Sequence, residues 1–192
     1  FGYGTRVLTT SAFGPVVQDG VIGAWEPLGF YRRLRNANVR CSSMPSYVRT
    51  NAGRLGAVIE LLRRYLFIPD LQITWLPAAF WRALRLLKQS PDDILLSTFP
   101  PASSHLLALL LRRCTNMPWV ADFRDSWTFD PLDNVLQELP FRNRTEKRME
   151  ARVVRNADLV VVSTDIAAEY LRETYPDRAD AIVVVTNGFD PC

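Results

Sequence analysis

The hydrophobic positions of this chain fall into two kinds of run. From Asp93 onward, short unbroken apolar stretches alternate with longer stretches whose apolar residues recur every three or four positions. Unbroken runs of four or five predict buried parallel strands, and the three-to-four spacing predicts amphipathic helices. Strands are expected at residues 94–98, 119–122, 159–163 (LVVVS) and 182–186 (IVVVT). Helices are expected at 103–114, with Ser103 or Ser104 near its N-terminus, and at 145–156 and 164–175. The long connection 123–141 reads as mostly irregular. Strand and helix in strict alternation mean βαβ units and a parallel sheet. Right-handed crossovers would then bring the ends Thr98, Asp122, Ser163 and Thr186 to one edge.

Upstream the pattern is less regular. Residues 6–10 (RVLTT) read as a strand, 11–20 as a turn-rich loop and 21–25 as a short strand. Residues 30–50 show too little periodicity to assign. Residues 54–66 form an amphipathic pattern with Leu55, Val58, Leu62, Tyr65 and Leu66 on one face, Glu60 and Arg64 paired i,i+4 on the other, and Pro69 as the stop. A second helix follows Pro77, with Phe80, Trp81, Leu84 and Leu87 on one face and Arg82 and Arg85 outside it. Both helices mix arginines with aromatic rings, which suits a membrane interface and equally a helix packed on a sheet with its arginines outward.

Composition narrows the function. The chain has 192 residues, 48% hydrophobic and 22% charged, the balance of a globular domain with its own core. No apolar run approaches the ~20 residues needed to span a bilayer, and no signal peptide opens the chain. The net charge is +3, carried almost wholly by arginine. It mildly favours an anionic partner such as a phosphate, a nucleotide or a lipid headgroup. Cys41, Cys114 and Cys192 are odd in number and widely spaced, which argues against a disulfide framework or zinc site and for a reducing compartment. His105 is the only histidine, which excludes a His-rich metal site. There is no P-loop, no GxGxxG and no nucleophile–base pair.

Two stretches carry candidate chemistry. In Ser97–Ser104 a strand ends, Pro100 and Pro101 fix the backbone, and a helix begins whose free N–H groups attract anions. The same residues also serve as a plain turn and cap. In Asp122-Phe123-Arg124-Asp125-Ser126-Trp127 an apolar strand ends abruptly in charge. Ligands of open α/β sheets bind beyond such strand ends. There Arg124 could pair with a phosphate or with a neighbouring aspartate, and Asp125 could accept from a sugar hydroxyl or a turn. Trp127 could stack on a sugar ring or fill the core.

Five pieces in order then resemble one family. They are Pro69-Asp70 with Trp75-Leu76-Pro77, the Pro-Pro stretch 97–104, residues 119–127, a charged helix running into Ala157-Asp158-Leu159-Val160-Val161-Val162-Ser163-Thr164, and Val183-Val184-Val185-Thr186-Asn187-Gly188-Phe189-Asp190. Together they resemble the N-terminal, acceptor-binding domain of family 4 glycosyltransferases of the two-domain GT-B fold. The fold expected is α/β, a Rossmann-like parallel sheet flanked by helices. Residues 1–186 would form that domain, and 187–192 would begin the linker to a C-terminal domain. The strand at 6–10 resembles the family's second. A first βα unit with its Gly-rich loop would then be lacking, so the chain is expected to be a fragment, inactive alone and prone to self-association through an open sheet edge.

The resemblance implies retaining transfer of a hexose from a nucleotide diphosphate sugar to a glycan or lipid-linked acceptor, as in polysaccharide biosynthesis. It implies no cofactor beyond the nucleotide sugar as co-substrate, no essential metal and no nucleic-acid partner. The expected location is the cytoplasm, with peripheral contact at the inner membrane face. Substrate-binding residues are expected to be Thr98, Pro100, Pro101, Ser103, Asp122, Arg124, Asp125 and Trp127, with Arg124 and Asp125 matching the family's Arg-Asp pair. Some relatives carry a histidine where this chain has Ser97-Thr98, so no catalytic residue is assigned. Two other readings stand beside this one: a GT-B-fold sugar-nucleotide epimerase, which the single histidine disfavours, and a non-catalytic binding module.

Overall fold

The computed structural model describes residues 4–10, 19–27, 65–89, 94–128 and 139–188. The chain divides into two compact units, Phe1–Arg85 and Leu86–Cys192. The helix expected at 54–66 lies outside the described residues apart from Tyr65 and Leu66, as does the unassigned stretch 30–50.

In the first unit, β1 (Val7–Thr10) pairs in parallel with β2 (Val21–Ala24), Val7 opposite Val21. Gly20 sits at φ 78°, and a Cβ there would lie 2.9 Å from the Thr5 carbonyl. Only glycine turns the chain so tightly at this point, and its carbonyl accepts from the Val7 N–H at 2.8 Å. Among the described residues the strands form two sheets, both parallel as the sequence predicts.

A 3-10 turn (Leu71–Trp75) leads into α1 (Leu76–Gln89), which begins in the first unit and ends in the second. Its buried positions are Ala79 and Ala83, one turn apart. Trp81 lies roughly opposite them at 100° per residue and is 63% exposed, with Arg82, Arg85 and Lys88 exposed along the same helix. The expected packed face holding Trp81 is thus corrected: two alanines make that face, and the tryptophan stands on the basic side.

The second unit follows the predicted alternation. Its elements are β3 (Leu95–Phe99), α2 (Ala102–Thr115), β4 (Trp119–Phe123), α3 (Pro140–Asn156), β5 (Leu159–Val162), α4 (Asp165–Thr174), a 3-10 turn (Pro176–Ala181) and β6 (Ile182–Val184). The sheet order is β3-β4-β5-β6, all parallel. Each strand lies beside its sequence neighbour, so right-handed crossovers carry the helices to the same face. Ser97, Trp119, Ala121, Phe123, Val160, Val162 and Ile182 point into that face and are buried. Period-2 alternation sends Leu96, Thr98, Val120, Asp122, Val161 and Val183 to the opposite face, where they are exposed or half-buried.

The element ends have identifiable causes. Asn116 takes the left-handed conformation (φ 55°) that closes α2, and Pro118 prevents its continuation. Thr164 caps α4 by accepting from the Ala167 N–H at 3.2 Å. Helix α3 starts at Pro140, five residues before the expected Thr145, because proline at the first helical position has no N–H to leave unpaired.

Candidate active site at the carboxyl edge of the sheet

Strand register sets two of the expected site residues side by side. Thr98 lies opposite Asp122, and Asp122 opposite Val161. Residues opposite one another in a parallel pair project to the same face, so Thr98 and Asp122 stand side by side on the face away from the helices. Arg124 and Asp125 follow directly where β4 ends, both exposed. The Arg124 Nε donates to Asp122 Oδ2 at 2.9 Å, an ion pair in which Arg124 is 56% exposed and Asp122 13%. The Arg124 Nη1 donates to Asn187 Oδ1 at 2.6 Å. Asp125 makes no hydrogen bond or ion pair among the described residues.

Pro100 and Pro101 form the bend from β3 into α2, exposed and half-buried respectively. Ser104 secures that bend, its hydroxyl bonding the Thr98 and Pro101 carbonyls. Two expected site residues lie elsewhere. Ser103 is fully buried, because the first turn of α2 directs it into the core. Trp127 is also buried and donates from Nε1 to Glu146 Oε2 at 3.3 Å, so its ring fills the core. The structure therefore gathers Thr98, Asp122, Arg124 and Asp125 at the edge, with the two prolines beside them.

Beneath this edge lies an aromatic layer. His105 is fully buried, its ring 4.5 Å from that of Phe123 and within 6.5 Å of Phe99, Trp119 and Trp127. Burial pushes its pKa down to about 3, so the imidazole is neutral. The Ser97 hydroxyl accepts from Trp119 Nε1 at 2.8 Å and lies 2.7 Å from His105 Nδ1. A hydroxyl has one donor and two acceptor sites, and Nε2 on the far side of the ring is buried without a hydrogen-bond partner among the described residues. Burial and this single polar contact make His105 a packing residue.

The loop after β4 is fastened from below by α3. Its buried Glu150 accepts from the Thr128 N–H and hydroxyl, both at 3.0 Å, and from the Tyr175 hydroxyl at 2.9 Å. Burial drives the Glu150 pKa upward against those bonds. One turn earlier Glu146 pairs with Arg142 at 2.7 Å as well as with Trp127. The Ala157-Asp158 motif is also structural: Asp158 accepts from the Trp119 N–H at 2.7 Å and from Arg112 at 2.8 Å, joining the starts of β4 and β5 to the end of α2. A cavity beside Trp127, Glu150 and Tyr170 measures only about 10 Å³. That is room for one water and no more.

Sequence reasoning missed Asn187 and the two glutamates. Asn187-Gly188 reads as a turn, and nothing in the sequence places Asn187 against a residue sixty-three positions earlier. The glutamates carry a fainter signal, since both lie on one helical face four residues apart.

Residues 31–188 match the family model described as a glycosyl transferase 4-like domain. No curated protein matches the chain. The matched span takes in every strand of the four-stranded sheet and each residue gathered at its carboxyl edge. The chain belongs to the glycosyl transferase 4-like domain family.

Proposed function

We propose that this chain supplies the acceptor-binding half of a retaining glycosyltransferase, one that moves a hexose from a nucleotide diphosphate sugar to a glycan or lipid-linked acceptor. The observation that carries the reading is the composition of the carboxyl edge, where Thr98, Asp122, Arg124 and Asp125 converge. Asp122 and Asp125 are acids and Arg124 is the single base among them, so the group bears a net negative charge. Arg124 is already paired with Asp122 and bonded to Asn187. Such a group repels a phosphate and accepts hydrogen bonds from hydroxyls. The donor's diphosphate would then be held elsewhere, on a second domain, and a sugar hydroxyl of the acceptor would lie against Asp125 and Thr98.

The exposed Trp81 beside Arg82, Arg85 and Lys88 extends the reading to the acceptor's location. Indole and guanidinium together favour an anionic lipid interface, where a lipid-linked acceptor would be presented. Among the described residues no helix is long and apolar enough to cross a membrane, so the contact would be peripheral.

The test is transfer by the full-length protein. UDP- and GDP-hexoses are offered with glycan and lipid-linked acceptors, and the anomeric configuration of the product is read by NMR. Retention with a hydroxyl acceptor supports the proposal. Inversion, or interconversion of the donor sugar with no transfer, contradicts it, the latter favouring an epimerase.

A further inference from the structure

Residue 124 bonds to the carboxyl ends of β3 and β4 and to the segments that follow β5 and β6. Its N–H donates to the Phe99 carbonyl at the end of β3, at 3.2 Å. Its own carbonyl accepts from the Ser163 hydroxyl, just past β5, at 2.7 Å. Its Nε meets Asp122 on β4 at 2.9 Å, and its Nη1 meets Asn187, beyond β6, at 2.6 Å. The backbone bonds fix where Arg124 begins. The two side-chain bonds fix where its guanidinium ends, and both acceptors are needed for that. With Asp122 alone the head group pivots about a single bond from Nε; the second acceptor fixes the plane.

We infer that Asn187 is a positioning residue of the acceptor site, holding the Arg124 guanidinium so that its Nη2 edge faces a ligand lying against Asp125. The inference rests on the acceptor reading above. It makes the segment after β6 part of the site: until Asn187 lies across the end of the sheet, Arg124 is only half held. The amide's role is that of an oxygen acceptor, so an aspartate at the same position preserves the bond. An alanine removes it without opening a cavity, because Asn187 is exposed.

The experiment uses the full-length protein and its Asn187→Ala and Asn187→Asp variants. The Arg124 Nε–H resonance, assigned by its loss in Arg124→Lys, reports on the clasp. Saturation-transfer NMR with methyl glucoside, mannoside and galactoside reports on the site. The expected result is faster solvent exchange of the Arg124 Nε–H and several-fold weaker glycoside binding in Asn187→Ala. Both should return in Asn187→Asp, with the melting temperature unchanged throughout. An Arg124 signal indifferent to Asn187→Ala overturns the clasp. A changed signal with unchanged glycoside affinity overturns the positioning role and leaves Asn187 a bond of the fold. A wild-type protein that binds no glycoside, while its Arg124 signal responds to Asn187→Ala, overturns the acceptor reading and the positioning role together.

Discussion

His105 has no solvent around it, and its protonation state becomes a property of the fold. Its pKa is held near 3 in the folded chain, against 6.5 in an unfolded one. Below pH 6.5 the unfolded chain takes up a proton that the folded chain refuses. Stability present above pH 6.5 is therefore lost as the pH falls toward 3, by up to about 1.4 kcal/mol per pH unit. His105→Leu should flatten the acid limb of the stability profile between pH 6.5 and 4, measured by urea unfolding; an unchanged slope would mean the ring is reached by water. Glu150 acts with the opposite sign, since its raised pKa makes the folded chain resist losing a proton as the pH rises above 4.5. None of this was legible from residue order. A lone histidine in a helical pattern reads as ordinary packing, which it is. Its hydroxyl partner Ser97 and that partner's donor Trp119 become neighbours only once β3 and β4 pair with Leu95 opposite Trp119.

At the scale of elements, α3 holds the loop after β4 through Glu146 and Glu150, and Asp158 before β5 holds the start of β4. Glu150→Ala leaves the Tyr175 hydroxyl and both Thr128 donors without their acceptor. It should cost about 3 kcal/mol, against a smaller loss for Glu150→Gln, as read from the denaturation midpoint. Asp158→Ala strips the buried Trp119 N–H of its partner and should cost about 1–3 kcal/mol; equal stability would mean that bond carries no weight. Strands β5 and β6 were legible because unbroken valine runs admit little else, and β3 and β4 because each is a short apolar run leading into polar residues. Helix α3 was legible only in its second half, since Arg142, Asn143 and Arg144 resemble a polar loop until Pro140 is seen as a first-turn residue. The inward turn of Ser103 was not legible. Serine at a helix start signals a cap, and here Ser104 secures the bend while Ser103 meets the core.

At the scale of the whole molecule, one unit carries a sheet whose carboxyl edge bears the acidic group proposed to bind hydroxyls, and α1 carries a basic aromatic surface. Trp81→Ala and Arg85→Glu should each weaken sedimentation with vesicles of equal parts phosphatidylglycerol and phosphatidylcholine. Unaltered sedimentation would separate the surface from any membrane role. Nucleotide binding bears on the division of labour: calorimetric titration of this chain with UDP, GDP, UDP-glucose and GDP-mannose should show no tight binding. Tight binding would make the second unit a nucleotide site in its own right. In the proposed function Asp125 and Arg124 meet the acceptor. The most direct measurement is the steady-state transfer kinetics of full-length Asp125→Asn and Arg124→Ala against wild type, with melting temperatures alongside. The account predicts at least a roughly tenfold fall in kcat/KM for each, about 1.4 kcal/mol of lost transition-state binding, with the fall from Asp125→Asn in the acceptor KM and the melting temperature of Asp125→Asn unchanged. Wild-type kinetics in both variants would contradict it and move the acceptor site away from the carboxyl end of β4.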